Sequence, residues 1–311
     1  MEGTATAAAL GTVTVRAPAK VNLQLAVGAR RADGYHPLAS VFLAVDRHDL
    51  VTAAPGEGLT LSVAGEGAAG VPLDRDNLAA RAATALAAQH GIRPDVHLHI
   101  DKRIPVAGGM AGGSADAAAA LLACATLWET RSTPAELQLL AAELGSDVPF
   151  ALLGGAALGL DRGDRLTPLP VTGPFHWALA TADGPLPTPA VYAAHDRLRP
   201  RHHRTLGADP AVLAALRTGD PAALGAALGN DLQPAALHLR PALAATLRAG
   251  TAAGALGATV SGSGPTCAFL AADAAAATRL AAALTASGTC HRAWTATGPV
   301  PGASVLATPV R

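Results

Sequence analysis

Four glycines fall within six residues of the segment Pro105-Val106-Ala107-Gly108-Gly109-Met110-Ala111-Gly112-Gly113-Ser114-Ala115-Asp116. Glycines let backbone N–H groups converge without Cβ obstruction, and a following helix points its positive end at the same place. Residues 96–100 before the segment alternate Val-His-Leu-His-Ile as an amphipathic strand, and residues 114–128 after it read as a helix. Strand, glycine loop and helix in that order can cradle a polyphosphate. The other reading is a tight turn that only packs the strand on the helix. The segment is not G-x-x-x-x-G-K-[ST], because no lysine follows, nor a dinucleotide fingerprint, because Gly108 and Gly109 are adjacent.

Any anion held there is held by local geometry, because Lys+Arg and Asp+Glu number 23 each. No whole-molecule field draws the chain to nucleic acid or an anionic membrane. With 311 residues, 50% of them hydrophobic, one large domain or two modest ones are expected. Cys124, Cys267 and Cys290 lie far apart with no CxxC pair, which argues against a disulfide framework or thiolate zinc and fits a reducing cytoplasm. Residues 1–10 carry no basic cluster and read as a frayed tail. The longest apolar stretches, 117–128 and 148–160, fall short of the roughly 20 residues a span needs, so none is expected.

Lys20 and Lys102 are the only lysines, and Tyr35 and Tyr192 the only tyrosines. A chain that prefers arginine either retains a lysine by chance or keeps it where a compact ammonium is needed instead of a planar fork.

Strands are expected at 12–16, ending at Ala17-Pro18, and at 20–27, 40–45, 49–53 and 59–64. Helices are expected at 77–89 and from Thr133 to 144, where Thr is the N-cap, Pro134 opens the helix and Gly145 closes it. A Pro- and Gly-rich stretch at 168–189 suggests a hinge between an N-terminal domain, 1–167, and a C-terminal domain, 168–311. In the second half a strand starts at Trp177, helices are expected at 210–217, 221–228, 241–253 and 272–287, and a strand at 267–271. The general alanine bias carries no function. Asp147, just past a helix stop, is either a cap or turn residue or a carboxylate with chemistry to perform. Asn77 fits a helix N-cap. Arg201-His202-His203-Arg204 invites a metal or RNA reading, but adjacent histidines do not face one ion easily, and a solvated loop fits better.

The glycine loop resembles the phosphate-binding motif of the GHMP kinases. Three further stretches narrow the resemblance: Ala17-Pro18-Ala19-Lys20-Val21-Asn22-Leu23 with Arg30-Arg31-Ala32-Asp33-Gly34-Tyr35-His36, then Leu144-Gly145-Ser146-Asp147-Val148-Pro149-Phe150, then Ser261-Gly262-Ser263-Gly264-Pro265. Together, over residues 13–271, they resemble the 4-diphosphocytidyl-2-C-methyl-D-erythritol kinases of that superfamily. The sequence departs at Gly109-Met110-Ala111, where that family has Gly-Leu-Gly, at Ala115, where a second serine is usual, and at Pro265.

The resemblance implies an α+β, two-lobed GHMP kinase fold, with an N-terminal lobe like ribosomal protein S5 domain 2, a C-terminal ferredoxin-like lobe and the active site between them. It implies ATP as phosphoryl donor with Mg, CDP-methylerythritol as acceptor, and a step in the methylerythritol phosphate route to isoprenoid precursors. By resemblance Asp147 is the general base and Lys20 its charge partner. Asn77, Lys102 and the loop from Pro105 through Ser114 are nucleotide-binding; Asn22, Tyr35, His36, Thr188 and Tyr192 are substrate-binding. Asn230-Asp231-Leu232 also resembles a family segment. The magnesium ligands stay unassigned. Two rivals remain. Another GHMP kinase acting on a small alcohol is disfavoured by Gly34-Tyr35-His36, and a catalytically silent nucleotide- or RNA-binding protein by the presence of Lys20 and Asp147.

Overall fold

A computed structural model of the chain describes residues 11–198 and 206–306. The Arg201-His202-His203-Arg204 cluster and residues 1–10 lie outside the described residues. The first sheet is built on two long antiparallel strands, β1 (Val13–Val27) and β2 (Leu38–Pro55). The break expected at Ala17-Pro18 is instead a register shift between Pro18 and Ala19 inside β1, with Pro18 opposite His48. Proline lacks a ladder donor, and a bulge is where a strand tolerates that loss. The strands expected at 40–45 and 49–53 fuse into β2 for a related reason, because β1 pairs along its whole length.

Around this pair lie β3 (Leu59–Gly65), α1 (Leu78–His90), β4 (Val96–Lys102), α2 (Gly112–Leu127), α3 (Pro134–Leu144), α4 (Val148–Leu153), β5 (Ala156–Asp161) and β6 (Arg165–Pro168). The sheet order is β3, β4, β2, β1, while β5 pairs with the half of β2 that β4 leaves free. Helix α2 begins two residues before the expected Ser114. The alanines 117–120 are fully buried against β1, β2 and α1, where a methyl group allows close approach of backbones. The capping box at Thr133 and Glu136 starts α3 as its sequence foretells.

The second half contains β7 (Phe175–Thr181), α5 (Thr188–Leu198), α6 (Pro210–Thr218), α7 (Pro221–Ala227), β8 (Gly229–Asn230), α8 (Gln233–Leu239), α9 (Ala242–Ala252), β9 (Gly257–Val260), β10 (Cys267–Ala271), α10 (Ala274–Ala286), β11 (Arg292–Gly298) and β12 (Ser304–Val305). Its sheet runs β11, β7, β10, β9, all antiparallel. Numbered within the lobe this is 4-1-3-2, the ferredoxin-like order, with helices in the two crossovers. The lobes are stitched together, since β8 pairs with β1 in parallel and β12 pairs with its other half. The three cysteines are free. No helix among the described residues is long and apolar enough to cross a membrane.

Candidate active site

The glycine loop is left-handed at every second residue from Ala107 to Ala111, with φ of 53° at Ala107, 77° at Gly109 and 62° at Ala111. Such alternation turns backbone N–H groups inward and makes a nest for an anion, completed here by the N-terminus of α2. Gly109 is required sterically as well: a Cβ there would lie 2.4 Å from the Ser261 carbonyl oxygen. That crowding reflects a brace from the other lobe. Ser261 Oγ donates to the Gly109 carbonyl at 3.1 Å, and the Thr266 N–H donates to the Gly108 carbonyl at 3.2 Å. The Ser261-Gly262-Ser263-Gly264 motif therefore holds the loop in shape.

The loop borders an inter-lobe cleft of about 360 Å³ that also exposes Lys20, Asn22, Ser146, Asp147, Thr188 and Tyr192. Lys20 sits in the middle of β1, where burial leaves its ammonium few choices of direction. Its Nζ donates to Asn22 Oδ1 at 2.6 Å, lies 5.5 Å from the centre of the Phe42 ring and stands 3.7 Å from Asp147 Oδ2. Asn22 is fixed in turn, its amide donating to Ser40 Oγ at 2.7 Å, and Ser40 donates to the Gln24 carbonyl. The expected substrate ligand Asn22 thus spends its oxygen on Lys20. Asp147 holds the N-cap position of α4, yet its side chain makes no cap hydrogen bond. Its carboxylate, 29% exposed, faces the ammonium and the open cleft.

From the C-terminal lobe, α5 presents Tyr192, whose ring centre lies 5.0 Å from that of His36. His36 is buried and its Nε2 meets Asp196 Oδ1 at 2.7 Å. Burial, and then the nearby charge of Asp147, pushes the Tyr192 hydroxyl above its ordinary range, so it stays protonated. Thr188 shares a 2.8 Å hydrogen bond with Ser263. Tyr35 stands apart from these, 58% exposed and outside the cleft wall. Met110 is fully buried, so only its backbone serves the loop, its carbonyl accepting from the Lys20 N–H.

A second hollow, of about 230 Å³, lies on the other side of Gly113 and touches Asn77, Lys102, Val106 and Asp116. Asn77 is an N-cap as local rules require: its Oδ1 accepts from Ala79 N at 2.8 Å, and its amide donates to the Pro72 carbonyl. Lys102 is buried between two carboxylates, donating to Asp49 and, at 2.7 Å, to Asp116. Burial alone would lower its pKa, but Asp116 and Asp49 together hold it above the ordinary lysine range. Burial pushes the Asp116 carboxyl up, with the Asp49 charge adding to it. Asp49 also accepts from the Arg103 and Ile104 N–H groups, so the triad clamps the chain leaving β4 to the second turn of α2.

Removing one partner of a buried ion pair typically costs about 3–5 kcal/mol. Lys102→Met is therefore expected to lose stability on that scale in urea denaturation. An unchanged midpoint with only a raised KM for ATP would make Lys102 a ligand of the nucleotide and not a clamp.

Sequence reasoning passed over Ser40, Phe42, Asp49, Asp116 and Arg162. Ser40, Phe42, Asp49 and Asp116 act through partners well away in the chain, whereas Arg162 pairs with Asp164 two residues on, in a turn that no motif marks. Among the described residues no group of three or more His, Cys, Asp or Glu could hold a metal ion. The oxygen donors on the cleft wall include Ser114, Ser146 and Asp147.

The family model for the GHMP kinases N terminal domain matches residues 77–155, and that for GHMP kinases C terminal matches residues 212–290. The 4-diphosphocytidyl-2-C-methyl-D-erythritol kinase of Streptomyces avermitilis is 63% identical, over 94% of this chain and 99% of its own. The kinase of the same name from Mycobacterium bovis is 55% identical, over 96% and 94%. A crystal structure of 4-(cytidine 5'-diphospho)-2C-methyl-D-erythritol kinase superposes with a TM-score of 0.74 at 36% identity, covering 91% of this chain and 98% of that one. Homoserine kinase from Cytophaga hutchinsonii, 18% identical, superposes at 0.73 over 98% and 100% and shares the fold.

Proposed function

We propose a reaction for this chain from one premise: it belongs to the GHMP kinase family, among the 4-diphosphocytidyl-2-C-methyl-D-erythritol kinases. It transfers the γ-phosphoryl group of ATP to the 2-hydroxyl of 4-diphosphocytidyl-2-C-methyl-D-erythritol, in the methylerythritol phosphate route to isoprenoid precursors. Magnesium enters with the nucleotide as MgATP. The triphosphate rests on the loop from Gly108 to Ser114, and the acceptor lies across the cleft with its 2-hydroxyl at Asp147.

The Lys20–Asp147 pair, 3.7 Å apart in the same cleft as the nest, carries this reading. Phosphoryl transfer asks little covalent chemistry of a protein: a positioned acceptor, a base for its proton and cations near the equatorial oxygens. Asp147 has an oxygen free of capping duty to take the proton. Lys20, 3.7 Å away, holds that carboxylate in place and offers a compact charge to the phosphoryl group in flight.

Tyr192 forms one face of the cytosine site, with the Tyr35-His36 loop beside it. Base–aromatic stacking is worth about 1–3 kcal/mol by alanine substitution. Tyr192→Ala is expected to raise KM for the CDP-alcohol at least roughly tenfold and leave KM for ATP unchanged. Steady-state kinetics with each substrate varied in turn would check it, and equal loss for both substrates would misplace the cytidine end.

Release of ADP with a panel of alcohols tests the whole reading. CDP-methylerythritol should support turnover, while homoserine, mevalonate and free methylerythritol should not rise above ATP hydrolysis alone. Comparable turnover with any of those three would reassign the acceptor.

A further inference from the structure

Two cationic side chains line the cleft among the described residues, Lys20 and Arg162. Lys20 is already engaged with Asn22 and Asp147. Arg162 sits in the turn between β5 and β6, flanked by left-handed backbone at Asp161, φ 65°, and Gly163, φ 96°. A non-glycine residue in that region is strained, and such strain persists where the surroundings over-determine the turn. Here they do. Asp161 Oδ1 accepts from Arg31 Nη1 at 2.6 Å, tying the turn to the loop that carries Tyr35 and His36. A Cβ at Gly163 would lie 3.6 Å from the Phe42 ring, the same ring that Lys20 overlies.

The guanidinium is aimed but not consumed. Its Nη2 donates to Asp164 Oδ2 at 2.6 Å, and the Asp164 side chain is only 9% exposed, so this edge of the fork is held by a nearly buried carboxylate. Nε and Nη1 have no protein partner among the described residues. An arginine presents five N–H donors, so most of this one's capacity faces the cleft and solvent.

Resting on the acceptor reading above, we propose that Arg162 binds the diphosphate of the acceptor substrate. It would thereby distinguish a nucleoside diphosphate ester from an uncharged alcohol. A diphosphate lying between a cytosine at Tyr192 and a hydroxyl at Asp147 passes a wall with one carboxylate and needs a cation of its own. A planar fork suits adjacent phosphate oxygens, which it can grip with two parallel hydrogen bonds. Asp164 then acts as a positioning residue, holding the fork's rear edge while the front edge takes the ligand.

The test is calorimetric titration of the full chain with CDP and with cytidine, the glycine loop being filled beforehand by magnesium and a non-hydrolysable ATP analogue. Wild-type protein is expected to bind CDP at least about tenfold more tightly than cytidine. Arg162→Gln should erase that difference while cytidine affinity stays as it was, and Arg162→Lys should restore part of it. In turnover, Arg162→Gln should raise KM for the CDP-alcohol by a similar factor and leave KM for ATP at its wild-type value. CDP binding by Arg162→Gln as tight as wild type, or a wild type indifferent between CDP and cytidine, overturns the assignment of Arg162 alone. Wild-type protein that binds neither ligand overturns the acceptor reading itself, and this inference with it.

Discussion

Replacing Asp147 by asparagine is expected to lower kcat by about 10² to 10⁴ while nucleotide binding survives, because an amide keeps the shape but accepts no proton. Two roles compete for this residue, and the structure sets their consequences apart. If Asp147 only capped α4, asparagine would keep the cap, since it serves there about as well as aspartate, and activity would hardly change. The carboxylate makes no cap hydrogen bond, however, and faces Lys20. Stability should therefore hardly move while turnover collapses. Rapid-quench or steady-state kinetics beside a urea melt separates the two, and a loss of less than about tenfold in kcat with the fold intact would retire the base assignment.

Lys20→Arg is expected to be nearly as damaging, lowering kcat by about 10² to 10³, the usual scale for removing one preorganised charge or donor aimed at the transition state. Charge is conserved in this change and shape is not. The ammonium is enclosed by the Asn22 amide oxygen at 2.6 Å and the Phe42 ring, and a Cβ on Gly262 would stand only 3.3 Å from it. A guanidinium fork has no room there without displacing Asn22, which Ser40 holds from behind. Since the triphosphate rests mainly on backbone donors, ATP affinity should change little. Near-normal kinetics in the arginine variant would mean that any cation suffices.

The loop, the helix after it and the capping box of α3 were legible because each is written in neighbouring residues. So was Asn77, whose cap is a local hydrogen bond. The fused strands β1 and β2 were not, since continuity across Pro18 depends on a partner strand that no local rule sees. Helices α5 and α8 escaped notice in segments rich in proline and alanine, where packing of the two helices on each other decides the outcome. The site divides in the same way. Lys20, Lys102 and Asp147 stood out by scarcity or by motif, whereas the buried ion triad that Lys102 makes with Asp49 and Asp116 joins residues up to 67 apart in sequence. Tyr35 marks the converse case: its motif singles it out, yet it stands at the surface beside the cleft and not in its wall.

The position of the transferred phosphate is the most direct measure of whether this cleft does what its geometry supports. In the acceptor, C2 carries a methyl group and no hydrogen, so a phosphate placed there has no carbinol proton to couple with. Proton-coupled ³¹P NMR of the products from MgATP and 4-diphosphocytidyl-2-C-methyl-D-erythritol is expected to give one new phosphomonoester signal without three-bond proton splitting, formed mole for mole with ADP. A signal split by neighbouring protons, which marks transfer to a primary or secondary hydroxyl, or ADP formed with inorganic phosphate alone, would contradict the placement of the 2-hydroxyl at Asp147.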